Sequence, residues 1–385
     1  MTSLAGPLQD IGQAARWCLT AGIIEPPPET PSVDAFREES QLILSEGLAP
    51  VALHAFATGQ PWQDDPVAVA FHDATMMSQF RSMAVDVEGA ILLSAFARVG
   101  IPYVVIKGPA IARLHPAGWP RPYSDIDIVV PRRNFIDAIM GSHKGGFEYS
   151  ERSVPQWRWF DLVCREGLNL HSPAGGNIDI HHHIPPWALA SKLTARDLIE
   201  RSIPWKLCGK EVRIAANEDL LLISALHVLN DLWKGKLGLA SWRDVIALMT
   251  ALGTEASERA FDHAELGWLF ELATTALSVT VPEAGFTASA HDSKLPLATR
   301  LRVAAMGWGN DSALSRHRLA WATRLPAPNA LAFLAGSAFP APSYIRERHG
   351  SLWGYWKGGW DETVSTVQGS DYRMITIADK ETDTS

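Results

Sequence analysis

The sequence predicts an α+β protein, a small mixed β-sheet core flanked by helical regions before and after it. Three observations carry that prediction. Short, β-branched, apolar runs such as Pro102 to Ile106 and Ile126 to Val130 gather between residues 100 and 215. Apolar residues at three-and-four spacing fill 1–99 and 216–350. From 351 to 385 the chain forms a tail that is polar and unpatterned beyond Asp361, and it is expected to be largely disordered.

The first region opens with a helix over Leu8 to Thr20, which Pro26-Pro27-Pro28 separates from the next helix. Asp34 is placed to cap that next helix, which runs through Glu46 and ends at Gly47. A longer helix is expected from Met76 to Val99, stopped by Gly100, with Phe80, Met83, Val87 and Ile91 on its buried face. In the middle region Pro109 starts a short helix to Leu114, and Arg132 to Ser142 forms another with Phe135, Ile136 and Ile139 inward. Trp157 to Cys164, Leu168 to His171 and Ile178 to His183 read as strands, the last two joined by a Ser172–Asn177 hairpin loop. Helices resume at Asn217, and Ser241-x-x-Asp244 has the form of a capping box that opens the next one.

Composition bounds the function. The 385 residues exceed what one core holds, so two or three packed units are expected. Lys and Arg number 34 against 42 Asp and Glu, a net charge of -8. That balance disfavours binding along DNA or RNA, which needs a basic field, but leaves room for a mononucleotide in a local cleft. Cys18, Cys164 and Cys208 are odd in number and far apart, giving no disulfide framework and no zinc spacing, so a reducing cytoplasm is expected. No basic stretch leads into an apolar core at the N-terminus, so no secretory leader is read. The uncharged stretch from Leu325 to Ile345 is cut by four prolines, and its centre, Ala330 to Phe339, is too short to span a bilayer.

The candidate chemistry lies in the middle region. Asp125 and Asp127 alternate with apolar residues on one strand, so they share a face with Cα atoms about 6.6 Å apart. Paired carboxylates at an apolar strand need a cation, and Mg²⁺ (or Mn²⁺) suits them; a solvated strand end is the plainer alternative. Lys107-Gly108 closes the preceding strand and offers a charge and close backbone approach to a phosphate, or else is a simple turn. A third acid, Asp179, shares a face with His181 and His183. Zinc would need a fuller His/Cys set than the His181-His182-His183 run supplies. His181 is therefore expected beside the carboxylates, with His182 facing the opposite layer.

Lys107-Gly108-x-Ala110, then Arg121-Pro122-x-Ser124-Asp125-Ile126-Asp127-Ile128-Val129-Val130, then Ile178-Asp179-Ile180-His181 resembles the uncharacterised nucleotidyltransferase family. That family belongs to the DNA polymerase β-like nucleotidyltransferase superfamily. The likeness spans roughly residues 35 to 350, and Leu226-His227 and Trp242-Arg243-Asp244 look like its C-terminal part. Superfamily members commonly carry Gly-Gly or Gly-Ser before the acidic pair, where this chain has Lys107-Gly108. The resemblance implies a nucleotidyltransferase core over 100–215 and attack of a hydroxyl or amine on the α-phosphorus of a nucleoside triphosphate, with ATP the expected donor. Two divalent ions would be held by Asp125, Asp127 and Asp179, and Asp179 would help take the acceptor's proton.

Under that implication Lys107, Gly108 and Ser124 lie at the nucleotide. Arg121 either assists or is a loop charge. His227, Asp231 and Lys234 form a polar stripe on one helix, from which His227 or Lys234 reaches the triphosphate unless the stripe is a solvated face. Arg243 is a candidate phosphate contact and Asp244 a helix cap. Trp119, Trp157 and Trp187 are candidates for stacking on a base or acceptor. The acceptor expected is a small molecule or a peptide. A sugar-nucleotide glycosyltransferase and a non-catalytic nucleotide-binding protein are the competing classes, and oligomeric state is open.

Overall fold

The computed structural model describes residues 8, 10–56, 64–116, 118–149, 158–172, 175–233, 236–287, 325–338, 340–349 and 351–354. The N-terminal helices are α1 (Gln13–Thr20), α2 (Val33–Glu38), α3 (Ser40–Ser45), α4 (Ala49–Phe56) and the long α5 (Pro66–Val99). The middle of the chain holds β1 (Val104–Val105), α6 (Pro109–Ala112), β2 (Ile126–Val129), α7 (Phe135–Lys144), β3 (Glu148–Tyr149), α8 (Arg158–Cys164), β4 (Gly167–His171), β5 (Asn177–His181), α9 (Ala195–Arg201), β6 (Ile203–Leu207) and β7 (Lys210–Ile214). Then come α10 (Asn217–Trp233), α11 (Leu239–Leu252), α12 (Thr254–His263), α13 (Gly267–Thr280), α14 (Ala327–Ala338) and α15 (Pro342–His349). The architecture is the α+β mixture that the sequence predicts.

Among the described residues seven strands form one mixed sheet in the order β3-β4-β5-β2-β1-β7-β6. The central β2 runs antiparallel to β1 and parallel to β5, and β1 runs parallel to β7. Ile126, Ile128 and Val129 are wholly buried, as befits a strand covered on both faces. Buried apolar residues from Leu8 to Val281 form one contiguous core joining the early helices, the sheet and the later helices. No described helix is long and apolar enough to cross a membrane.

Several expectations are corrected. The expected 8–20 helix is interrupted: Leu8 is helical, Asp10 to Gly12 are not, and α1 runs from Gln13, where Glu39 receives the N–H groups of Ala14 and Ala15 at 2.9 and 3.0 Å. Ser32, not Asp34, caps α2, and the chain breaks at Glu39 into two short helices. The 157–164 segment is a helix over Arg158–Cys164, not a strand, and Trp157 lies outside the described residues. Its aromatic and β-branched content mimics a strand, yet Phe160 and Cys164 are four residues apart and pack on α14. Helix α5 begins ten residues early, at Pro66, because the Asp65 carboxylate accepts from Val67 and Ala68. Its expected inward face points out: Phe80, Met83, Val87 and Ile91 are exposed, while Phe71, Val85, Gly89, Leu92, Leu93 and Phe96 are buried, Phe71 against Phe56 of α4 and Gly89 against Ile126 of β2.

Candidate active site

Two parallel strands assemble the site. In the register of β2 and β5, Asp127 lies directly opposite Asp179 and Ile128 opposite Ile180. Both strands repeat Ile-Asp-Ile, so pairing the isoleucines in the core brings the aspartates together on the other face. From β4, directly opposite Asp179, Asn169 donates its amide to the Asp179 carboxylate. His181 Nε2 is 3.1 Å from Asp127 Oδ1. Among the described residues, the ligand atoms of Asp127, Asp179 and His181 lie within 4.8 Å of one another and could share a cation.

Asp125 precedes β2 and feels both other acids. Its backbone carbonyl is the reason for Gly108, which adopts φ 62°, ψ -119°; a Cβ there would stand 2.6 Å from the Asp125 oxygen. Helix α6 after it is a single turn to Ala112, shorter than expected, so Pro109–Ala112 supplies little of a helix terminus. The loop bearing Asp125 is tied to α5: Tyr123 donates its N–H to Ser82 Oγ (2.8 Å), Ser82 Oγ donates to the Tyr123 carbonyl (2.7 Å), and the Tyr123 hydroxyl meets Asp86. Ser124 is exposed, and its carbonyl accepts from Asn177 Nδ2 at 3.1 Å.

The electrostatics are those of crowded acids. Burial, then Asp127 and Asp179, push the Asp125 carboxyl up to about 7. Burial and Asp127 likewise raise Asp179. Burial also opposes ionisation of Asp127, but Lys107 and the His181 hydrogen bond outweigh it and hold this carboxyl well below the usual range. The same bond keeps His181 more basic than an ordinary histidine, against its own burial. Lys107 is half-buried, and its charge favours ionisation of all three acids.

Arg121 is held in a fork by Asp244 on α11, Nε to Oδ1 at 2.9 Å and Nη2 to Oδ2 at 2.6 Å. His115 Nε2 reaches Asp244 Oδ1 at 3.0 Å. Asp244 is therefore no helix cap. Helix α11 starts at Leu239 behind Gly238, and Ser241 donates to the Asp231 carboxylate instead of closing a capping box. Arg243 is also corrected: it is buried and donates to the carbonyls of Cys18, Leu19 and Ala21 at the end of α1, a structural role in place of a phosphate contact.

His227 is half-buried, with Nε2 3.3 Å from Asp231 Oδ2, and it is among the charges that hold Asp127 low; Asp231 is buried, so these two residues of the stripe do not form a solvated face. Lys234 lies outside the described residues. His182 is buried under Phe135, as expected of the opposite layer, and His183 stacks on Trp187 at 3.5 Å. Trp119 stacks on His54 at 4.1 Å. Sequence reasoning missed Asn169, Ser82 and the His115–Asp244 pair; the Leu168-Asn169-Leu170 alternation marks only the first.

Two parallel strands that each present an aspartate, with the lysine-glycine turn and Asp125 beside them, make up the candidate site. The family model described as "Uncharacterised nucleotidyltransferase" matches residues 40–277, more than half of the chain, and the chain belongs to that family. The match ends well short of residue 350, the limit expected of the resemblance. No curated protein matches the chain.

Proposed function

We propose that the protein is a metal-dependent nucleotidyltransferase, moving a nucleoside monophosphate from a triphosphate, with ATP as donor, to a hydroxyl or amine of a small molecule or peptide, with release of pyrophosphate. The observation that carries this reading is the facing of Asp127 and Asp179 across β2 and β5, with Asp125 and Lys107 beside them. The donor set fits Mg²⁺ or Mn²⁺: ligand atoms of Asp127, Asp179 and His181 lie within 4.8 Å of one another, and Asp125 feels the charge of both acids. Asp125, Asp127 and Asp179 would hold the ions, with His181 orienting Asp127. Bound there, divalent cations neutralise charge that develops on the attacking and leaving oxygens.

The chain's own groups do the rest. Lys107 presents an ammonium to the triphosphate, and the Gly108 turn brings backbone close to it. Asp179, facing Asp127 across the paired strands, takes the acceptor's proton on a carboxylate oxygen. Asn169 fixes how that carboxylate is turned. Arg121, anchored by Asp244, adds positive charge next to Asp125 and Asp127. His227 approaches from the helical side.

Incubation with triphosphates labelled at the α-phosphate, Mn²⁺ or Mg²⁺ and panels of hydroxyl and amine acceptors, the protein itself included, tests this. Label should pass to the acceptor as pyrophosphate appears, and Asp127→Asn should lower the rate by at least about 100-fold. Transfer of γ-label would instead make it a kinase, and turnover of a sugar nucleotide a glycosyltransferase. Binding of triphosphate with no transfer to any acceptor would leave a nucleotide-binding protein.

A further inference from the structure

Helix α5 is apolar on two opposite faces. At 100° per residue, Phe71, Val85, Gly89, Leu92 and Phe96 centre on one side and are buried, Phe71 against Phe56 of α4 and Gly89 against Ile126 of β2. Gly89 makes that contact close, since a Cβ there would fall 2.3 Å from Ile126 Cδ1. The other side carries Met76, Met77, Phe80, Met83, Val87 and Ile91, within an arc of about 120°. They are well exposed: Phe80 59%, Met83 63%, Val87 51% and Ile91 61%. A helix apolar all round is ordinarily covered all round, and scattered single exposures do not explain six exposed apolar side chains along one stripe.

We infer that this stripe is the contact by which two copies of the chain pair, α5 against α5, antiparallel about a two-fold axis near Met83 and Ala84. The charges at its ends select that occupant. Along the stripe, exposed Asp73 stands before Met76, and exposed Arg98 follows Ile91 on the same line. An antiparallel copy brings the Asp73 end of one helix to the Arg98 end of the other, whereas a parallel copy would pair like with like.

With the axis near Met83, Phe80 lies against the partner's Val87 and Met76 against the partner's Ile91, so the surface is complementary to itself, as a two-fold contact requires. Ala84, small and half-buried at the centre, lets the helices approach. From Asp73 to Arg98 the face is about 37 Å long and about 10 Å wide. That is on the order of 400 Å² per copy, below the roughly 800 Å² of a standard interface, so the pairing is weak and reversible.

Sedimentation velocity of the full chain from low to high micromolar concentration tests this. The mass should rise from one chain toward two, and Phe80→Glu with Val87→Glu should hold it at one chain with an unchanged circular dichroism spectrum. Should that double variant misfold, the charge swap decides: Asp73→Arg and Arg98→Asp should each weaken pairing at least about 5-fold, and together restore it. A single-chain mass throughout, or a dimer indifferent to both sets of changes, overturns the inference. Neither outcome touches the proposed transfer chemistry, which is read from label on an acceptor.

Discussion

Asp125 and Asp244 respond to acid in opposite directions, and each yields a prediction. Asp125 is pushed from 3.8 up to about 7, so the folded chain holds its proton more tightly than the unfolded chain does. The stabilisation this provides is complete below about pH 4 and is lost as pH rises through about 7. In chelator, the protein should melt lower at pH 8 than at pH 6. Asp125→Asn should reduce that slope and raise the pH 8 melting temperature by several degrees. Added Mn²⁺ should restore the loss in the unmodified protein, and a flat melting profile in chelator would contradict the crowding of the acids.

Asp244 is the reverse. Burial opposes its charge, yet Arg121 and His115 hold its carboxyl far below 3.8, so its contribution is present above the ordinary carboxylate range and lost as pH falls. Asp244→Asn leaves Arg121 without its fork and should lower stability by about 3–5 kcal/mol in urea at pH 7. An unchanged midpoint would mean that the fork is not formed. Nothing local announces this residue. A Ser-x-x-Asp pattern reads as a cap from sequence alone, because its real partners stand more than 120 residues earlier in the chain.

At the scale of elements, the turn between β1 and α6 is the most demanding piece. Gly108→Ala would force a side chain into φ 62° and toward the Asp125 carbonyl, costing about 1–3 kcal/mol and displacing the acidic loop. Transfer activity should fall further than stability, by at least about 10-fold, and equal activity in the variant would show that the loop does not depend on this contact.

Here the sequence is a good guide: Lys107-Gly108 before an Asp-x-Asp strand could be read directly. It is a poorer guide where periodicity has two solutions. Helix α5 carries an apolar stripe on each side, and spacing cannot say which one meets the sheet; the small Gly89 opposite Ile126 decides it. The β6–β7 hairpin escaped notice because its strands alternate weakly, although Cys208-Gly209, both at positive φ, form the two-residue turn that joins them.

For the molecule as a whole, what could be read was the class, sheet core between helical regions, and the three acids. What could not be read was how they meet. Strands β2 and β5 are about fifty residues apart, and their parallel pairing depends on the intervening α7 and the β3–β4 strands folding around them. The repeated Ile-Asp-Ile was the available clue. The supporting polar contacts from Asn169 and Ser82 depend on that register and have no sequence pattern of their own.

Calorimetric titration of Mn²⁺ into the intact chain, with Asp127→Asn and Asp179→Asn alongside, decides whether the acids converge on a cation. Saturable binding by the parent protein is expected, weakened at least about 10-fold in each variant while both keep the parent's fold. Equal affinity in all three proteins, or no binding by the parent, would refute that convergence.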